Sequence, residues 1–146
     1  MRTKEQKRTE FALEKISIFY KKISQEVPKD DANFLVGMPV IILTNGLGQS
    51  LAFLLSKKPN EKEKSDKDKH MRTFRIIKEW LTHKDEGIET LKGQKTDEKS
   101  FLEQMSRLDQ GVYLKAQEET LKLLSWLKRY ARAFQEQEKG KQEDSR

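Results

Sequence analysis

Apolar residues recur at helical spacing along most of this 146-residue chain. In residues 3 to 26 they keep the spacing of one helix face and predict a first helix, with apolar positions at Phe11, Ala12, Ile16, Phe19 and Ile23. Thr3 and Gln6 have the spacing of a capping box, in which each side chain bonds the backbone N–H of the other residue. Val27 before Pro28 predicts the end of the helix, because a residue that precedes proline avoids helical backbone angles.

The most apolar stretch is "PVIILTNGLGQSLAFLLSKK", residues 39–58. As a strand, a glycine turn and a helix it would resemble a dinucleotide-binding fingerprint, which needs three glycines with separate structural tasks. Gly46 and Gly48 fit the first two positions. Leu51 occupies the third, where its side chain prevents the close approach of helix to strand. The fingerprint is therefore incomplete, and nucleotide binding is disfavoured.

Two helices over residues 31–45 and 46–58 explain more of the same stretch. Pro39 either kinks the first helix or starts a new one. Asn45 and Gly46 suit the junction, because both residues tolerate the left-handed conformation. The apolar faces of the two helices comprise Phe34, Leu35, Met38, Ile41 and Ile42 on the first, and Leu47, Leu51, Leu54 and Leu55 on the second.

A charged segment separates these helices from the rest of the chain. "KPNEKEKSDKDK", residues 58–69, has proline as its only non-polar residue and predicts a solvated or disordered loop. Helical spacing resumes over residues 68–83, and residues 84–96 read as a connector with one helical turn around Ile88 and Leu91.

Asp97 is predicted to cap a short helix that Gly111 breaks. The last helix is predicted over residues 112–137, with a buried stripe that includes Tyr130 and Phe134. No segment after residue 58 reads as a strand. The sequence thus predicts an all-α fold, a compact single-domain bundle of about six helices. It occupies residues 1–137, followed by a polar tail at 138–146.

Composition narrows the class of protein. Hydrophobic residues make up 34% and charged residues 37%, which leaves little apolar material for a sheet covered on both faces. The absence of cysteine excludes disulfides and thiolate metal sites. Residues 34–55 contain too many polar and glycine positions for a lipid-facing span, and the charged N-terminus lacks the apolar run of a signal peptide. We therefore expect a soluble, cytoplasmic protein with no membrane partner.

Basic residues recur every seven positions on two helices, so that each set follows nearly one line, drifting by about 20° per heptad. With a net charge of +6, nucleic acid is the best-motivated polyanionic partner, and the alternative is a stripe that only keeps the surface solvated. The candidate RNA contacts are Arg8, Lys15 and Lys22 on the first helix, Lys57, Arg72 and Arg75 in the middle, and Lys115, Lys122, Arg129 and Arg132 on the last.

Catalytic and metal-binding patterns are missing from the sequence. His70 and His83 have no second histidine or carboxylate at a recognised ligand spacing, which favours structural or surface roles. No nucleophile motif such as G-x-S-x-G occurs. We expect no enzyme activity, no cofactor, no metal and no small-molecule substrate.

The aromatic residues fall mostly on predicted buried faces, at Phe11, Phe19, Phe74, Phe101 and Phe134. Trp80 and Trp126 lie near the edges of their stripes. Each tryptophan fits either partial burial at a helix contact or a role as an interface anchor, in which tryptophan is enriched.

Four segments, in order along the chain, resemble one known family. These are "MRTKEQKRTEFALEKI" at residues 1–16, "LTNGLGQSLAFLLSK" at 43–57, "EWLTHK" at 79–84 and "LLSWLKRYARAF" at 123–134. They resemble, respectively, the first helix, the signature, a tryptophan-leucine element and the final helix of the Cmr small-subunit family of type III-B CRISPR effector complexes. The charged insert at residues 61–67 carries no motif of that family.

The resemblance implies a function that composition does not. Members of that family are non-catalytic, and several copies stack beside the backbone subunits that hold the CRISPR RNA. The implied partners are other Cmr subunits, neighbouring copies of the same chain, and the guide and target RNA. Cleavage belongs to other subunits of the complex.

The alternative function is a stand-alone helical DNA-binding protein. It would need a recognition helix and, usually, a dimer that matches two half-sites. No short helix-turn-helix spacing with exposed asparagine, glutamine or arginine is evident, so the resemblance favours the RNA-guided complex.

Overall fold

Six α-helices form the regular structure of the residues that the computed structural model describes, which are 1–20, 26–57 and 68–136. In chain order they are α1 (Lys4–Tyr20), α2 (Lys29–Asn45), α3 (Leu47–Ser56), α4 (Lys69–Leu81), α5 (Glu98–Ser106) and α6 (Gln110–Ala133). Extended pairing in these residues is limited to one isolated bridge between Val27 and Gln135. The prediction of an all-α fold with about six helices is confirmed.

The longest helix, α6, organises the bundle, because α1 and α2 both pack along it and α4 also contacts it. Hydrogen bonds fix both ends of the α2–α6 contact. The Val27 N–H donates to the Phe134 carbonyl at 2.7 Å, and the Leu47 N–H donates to Gln117 Oε1 at 2.9 Å. The start of α2 lies beside the end of α6, and the end of α2 lies beside the start of α6, so these two helices run antiparallel.

One continuous core joins all six helices, with α3 packed between α2, α4 and α5. Its largest fully buried side chains include Trp80, Phe74, Phe101, Met38 and Ile42. Burying a side chain of this size stabilises the fold by about 1.5–3 kcal/mol. The charged faces of the helices remain outside, apart from a few buried ionic groups described below.

The two predicted helix caps, at Thr3 and Asp97, are confirmed by their hydrogen bonds. The Thr3 N–H donates to Gln6 Oε1 at 2.8 Å and the Gln6 N–H donates to Thr3 Oγ1 at 3.1 Å, the reciprocal bonds of a capping box. Asp97 Oδ1 accepts from the Ser100 N–H at 2.8 Å, and this bond lowers the pKa of Asp97. At the start of α4, Asp68 Oδ1 accepts a hydrogen bond from the His70 N–H at 3.0 Å.

The apolar stretch around Gly46 forms two helices, as the helical interpretation predicts. α2 continues through Pro39, and Gly46 separates it from α3 with φ of 85°. A side chain at that backbone angle would be strained, which accounts for glycine at the junction. The Gly46 N–H also donates to the Ile42 carbonyl at 2.7 Å and so closes the end of α2.

Three boundary predictions are wrong. The first helix does not reach Glu26, which forms a bend, because Val27 pairs with residue 135 in extended conformation. Gly111 does not break a helix but lies in the first turn of α6, where a residue has few intrahelical bonds to lose. α6 ends at Ala133, and Phe134 is 45% exposed instead of buried. Of the charged loop predicted at residues 58–69, residues 58–67 lie outside the described residues, while Asp68 caps α4 and Lys69 begins it. The predicted tail at 138–146 also lies outside the described residues.

The connector between α4 and α5 is held by backbone hydrogen bonds. The Ile88 N–H donates to the Leu81 carbonyl at 2.9 Å, and Ile88 and Leu91 are buried as their spacing predicts. Thr90 has φ of 77°, an unusual value for a residue with a side chain. Within the described residues no helix is both long and apolar enough to cross a membrane.

Candidate nucleic-acid interface

A row of exposed basic side chains runs along α6. Lys115, Lys122 and Arg129 are all exposed and span about 21 Å at about 1.5 Å of rise per residue. Lys122 forms a surface ion pair with Glu118, with 3.2 Å between Nζ and Oε1. Arg132, one turn further, is exposed and donates to Gln135 Oε1 at 2.6 Å. These four residues are called the α6 basic row below.

A stack of aromatic rings lies beside this row. The ring centroids of Trp126 and Tyr130 are 5.8 Å apart with an interplanar angle of 30°, and those of Tyr130 and Phe134 are 6.5 Å apart at 21°. Since residues three and four apart on a helix are neighbours, Lys122 and Arg129 both flank Trp126. We call Trp126, Tyr130 and Phe134 the α6 aromatic stack. It was not predicted, although the spacing of four residues between the three rings is a readable signal.

Arg8 is buried, and the prediction that it lies on an exposed stripe of the first helix is wrong. It is 3% exposed, and its Nε and Nη2 donate to the two carboxylate oxygens of Glu119 on α6 at 2.7 and 3.0 Å. The Trp80 indole N–H donates to the same carboxylate at 2.9 Å. The guanidinium also bonds Glu5. Arg8 therefore ties α1 to α6 instead of facing solvent.

This carboxylate stays charged although it is buried. Burial by itself raises the pKa of Glu119, but the hydrogen bonds from Arg8 and Trp80 and the positive charge of Arg8 outweigh burial, so the pKa lies below its usual value. Trp80 is 1% exposed, which excludes it as an interface anchor. The sequence signal for this cluster is an acidic residue on the otherwise apolar face of α6.

The other two positions of the predicted α1 stripe do not restore it. Lys15 has a side chain that is 16% exposed, forms an ion pair with Glu79 on α4, and lies 5.2 Å from the centroid of the Phe11 ring. Lys22 lies outside the described residues. The described part of α1 thus offers no row of exposed cations like that of α6.

The candidates in the middle of the chain are dispersed. Arg72 is buried, which disagrees with its prediction as a surface contact for RNA. Its Nη2 donates to Asp31 Oδ2 at 3.1 Å, and its guanidinium lies 5.1 Å from the centroid of the Tyr20 ring. Arg75 is half-buried and lines an open cleft of about 500 Å³ between α4 and the connector. Lys57 is exposed at the end of α3. Lys57 follows α3, and Arg72 and Arg75 belong to α4, so none of the three lies on the helix that carries the α6 basic row.

A second buried ionic cluster consists of Tyr20, Asp31 and Arg72. The Tyr20 hydroxyl donates to Asp31 Oδ2 at 2.7 Å. Burial, together with this bond to a carboxylate, raises the pKa of Tyr20 well above its usual range. The cluster joins the end of α1 to α2 and α4, so Arg72 and Asp31 have a structural task.

Both histidines are held in structural contacts. His83 Nδ1 accepts hydrogen bonds from the backbone N–H groups of Asp85 and Glu86, each at 3.1 Å. The Nδ1 atom of His70 lies 3.0 Å from Asp68 Oδ1, and the His70 ring packs edge-on against the Phe34 ring. In the part of the chain that the structure describes, no three histidine or acidic side chains are grouped in a way that could hold a metal ion.

A known protein family matches most of the chain. Residues 4–134 match the family model described as CRISPR-associated protein (Cas_Cmr5). The match includes all six helices, the α6 basic row and the α6 aromatic stack. The four segments that resemble the Cmr small subunit overlap the matched range.

Proposed function

The chain belongs to the Cmr5 family of CRISPR-associated proteins, and we propose that it serves as a non-catalytic structural subunit of a type III-B RNA-guided effector complex. In this role it lies beside the backbone subunits in the cytoplasm, in contact with other Cmr subunits and with further copies of itself. It helps hold the guide–target RNA duplex during antiviral defence.

The observation that carries the RNA-contact part of this proposal is the exposure of the α6 basic row. Lys115, Lys122 and Arg129 are exposed along about 21 Å, a length that can follow several phosphates of an RNA strand. Among the described residues Lys122 pairs with Glu118 at the surface, and a phosphate can replace such a pair at little cost, since surface ion pairs contribute about 0–1 kcal/mol.

Two groups that could transfer protons, Glu119 and His83, are engaged in structural contacts, which supports a non-catalytic role. Glu119 is saturated by Arg8 and Trp80, and the Nδ1 atom of His83 is occupied by two backbone N–H groups. Each of these groups has a structural task that a catalytic role would disturb.

Repetition of the chain in the complex compensates for weak individual contacts. One subunit offers only a few phosphate contacts, which predicts weak and salt-sensitive binding. Copies stacked along the backbone subunits present the same row repeatedly, and linked sites gain affinity through raised effective concentration.

Reconstitution tests the proposed role. A complex assembled from the other Cmr subunits and RNA is compared with and without this chain for affinity to target RNA. We expect the chain to enter the complex and its omission to weaken target binding. Failure of the chain to enter the complex, or unchanged affinity after its omission, contradicts the proposal.

A further inference from the structure

The α6 aromatic stack ends at an exposed ring. Trp126 and Tyr130 pack against the core, whereas Phe134 is 45% exposed. The centroid separations of 5.8 and 6.5 Å lie in the range of offset-stacked aromatic pairs. Three rings in succession therefore form an ordered pile that opens to solvent at Phe134.

The inner end of the stack is fixed. The Trp126 indole N–H donates to Glu5 Oε1 at 2.6 Å, which sets the orientation of this ring against α1. Tyr130 lies between Trp126 and Phe134, so the orientation of the first ring constrains the next.

The exposed end is also fixed, although it follows the last turn of α6. The Phe134 N–H donates to the Tyr130 carbonyl at 3.0 Å, and the Phe134 carbonyl accepts from the Val27 N–H at 2.7 Å. The Glu136 N–H donates to the Val27 carbonyl at 2.9 Å and closes a second bond across the same contact. Because the backbone of Phe134 is held at its N–H and its carbonyl, a ligand that packs on the ring has only the side-chain torsions left to order.

The neighbours of the stack suit a nucleic acid. Lys122 and Arg129 are exposed and flank Trp126, and Phe134 follows Trp126 by eight residues, about 12 Å along α6, so a strand that follows the α6 basic row towards the end of the helix passes from Trp126 to the exposed ring of Phe134. Basic grooves combined with aromatic platforms are the general means by which proteins hold single strands, since every base has a stacking face.

We propose that the α6 aromatic stack receives an unpaired nucleobase of RNA on the ring of Phe134, while the α6 basic row holds phosphates of the same strand. This inference rests on the proposed RNA contact and adds the class of ligand, a strand with at least one unpaired base. Base pairing in a duplex hides the stacking faces, so the ring of Phe134 takes a base outside the paired part of the strand, whereas the α6 basic row can contact phosphates of paired and unpaired strands alike. We therefore expect this isolated surface to bind single-stranded RNA more tightly than double-stranded RNA.

The test compares three RNAs of equal length for binding to the full chain at low salt. They are a single-stranded oligouridine, the same ribose-phosphate strand without bases, and a duplex. We expect the single strand to bind about 5- to 150-fold more tightly than the abasic strand, the equivalent of about 1–3 kcal/mol for one stacked base. Phe134→Ala is expected to remove this advantage and leave binding to the abasic strand unchanged.

Two further variants make the result specific. Phe134→Trp keeps an aromatic ring and is expected to retain the preference for bases. Leu114→Ala removes an exposed apolar side chain elsewhere on α6 and serves as the matched control, with no expected effect on either RNA. Thermal unfolding of each variant checks that the fold is retained.

The outcomes separate this inference from the proposed function. Equal binding of intact and abasic strands by the unaltered chain overturns the stacking proposal and leaves phosphate contact standing. If Phe134→Ala weakens binding of the intact and the abasic strand equally, the stacking proposal is overturned as well. If Phe134→Ala leaves RNA binding unchanged but prevents assembly with the other subunits, the proposal is also overturned, and Phe134 is assigned to a protein contact. Absence of binding to every RNA contradicts the RNA contact and the stacking proposal together.

Discussion

The hydroxyl of Tyr113 on α6 accepts a hydrogen bond from the backbone N–H of Gly48 at 2.8 Å. A Cβ added at Gly48 would meet this hydroxyl oxygen at 3.3 Å, so the glycine makes room for the tyrosine. Gln117 takes the preceding N–H, at Leu47. The glycines of "NGLGQS" thus let α6 side chains cap α3, and the N–H groups that would bind a phosphate in a nucleotide fold are occupied.

Tyr113→Phe is expected to destabilise the fold by about 0.5–1.5 kcal/mol. The substitution removes one hydrogen bond and leaves the partly buried Gly48 N–H without this acceptor. Chemical denaturation measures the change. Tyr130→Phe is the matched control on the same helix, since the Tyr130 hydroxyl bonds no other described residue. Equal effects of the two variants would show that the cap contributes nothing.

Arg8→Ala is expected to destabilise the fold by about 3–5 kcal/mol, because it leaves the Glu119 carboxylate buried with one partner of its ion pair removed. The free energy of unfolding measures this cost. Lys122→Ala, which removes an exposed cation from α6, serves as the control and is expected to change stability by less than about 0.5 kcal/mol. A small effect of Arg8→Ala would contradict the buried position of this guanidinium.

Acid is expected to weaken the Glu119 contribution. Because the folded pKa of Glu119 lies below its unfolded value of about 4.3, the carboxylate stabilises the fold above that pH and loses its contribution as pH falls through the folded pKa. The melting temperatures of the unaltered chain and of Glu119→Gln, followed from neutral to acidic pH, are expected to differ most at neutral pH and to converge as the pH falls from the unfolded pKa through the lower folded pKa of Glu119. Other carboxylates titrate in both proteins and cancel. A constant difference at all pH values would contradict this prediction.

Thr90→Gly is expected to stabilise the protein by up to about 1 kcal/mol. The positive φ of Thr90 costs about 1–2 kcal/mol for a residue with a Cβ, and the freedom that glycine adds to the unfolded chain offsets part of the gain. Lys92→Gly, at an exposed position of the same connector without a positive φ, is expected to destabilise instead. Thermal unfolding distinguishes the two, and a loss of stability in both variants would argue against strain at Thr90.

The sequence predicted those features of the fold that depend on residues close together in the chain. Thr3, Gln6 and Asp97 cap the helices they were predicted to cap, because these bonds depend on residues three positions apart. The end of α1 was missed because the Val27 bridge depends on residue 135, which local spacing cannot reveal.

The candidate site is less accessible to such reasoning. A spacing of seven residues places Arg8 and Lys15 on one line, yet it does not say whether that line faces solvent or another helix. The acidic residue that buries Arg8 lies 111 positions away. On α6 the same spacing gives exposed residues, because the apolar stripe there faces α1 and α2 and leaves the basic row outside.

The salt dependence of target RNA binding tests the central claim, that the α6 basic row contacts RNA phosphates. The assembled complex is prepared with the unaltered chain, with Lys115→Glu, Lys122→Glu and Arg129→Glu combined, and with the same charge change at three exposed lysines elsewhere, Lys84, Lys92 and Lys99. The α6 variant is expected to bind target RNA more weakly and to lower the slope of log K against log salt by about one unit per lost phosphate contact. The control variant is expected to keep the original slope. If the α6 variant assembles normally and keeps both the affinity and the slope of the unaltered complex, the row only solvates the surface and the claim is wrong.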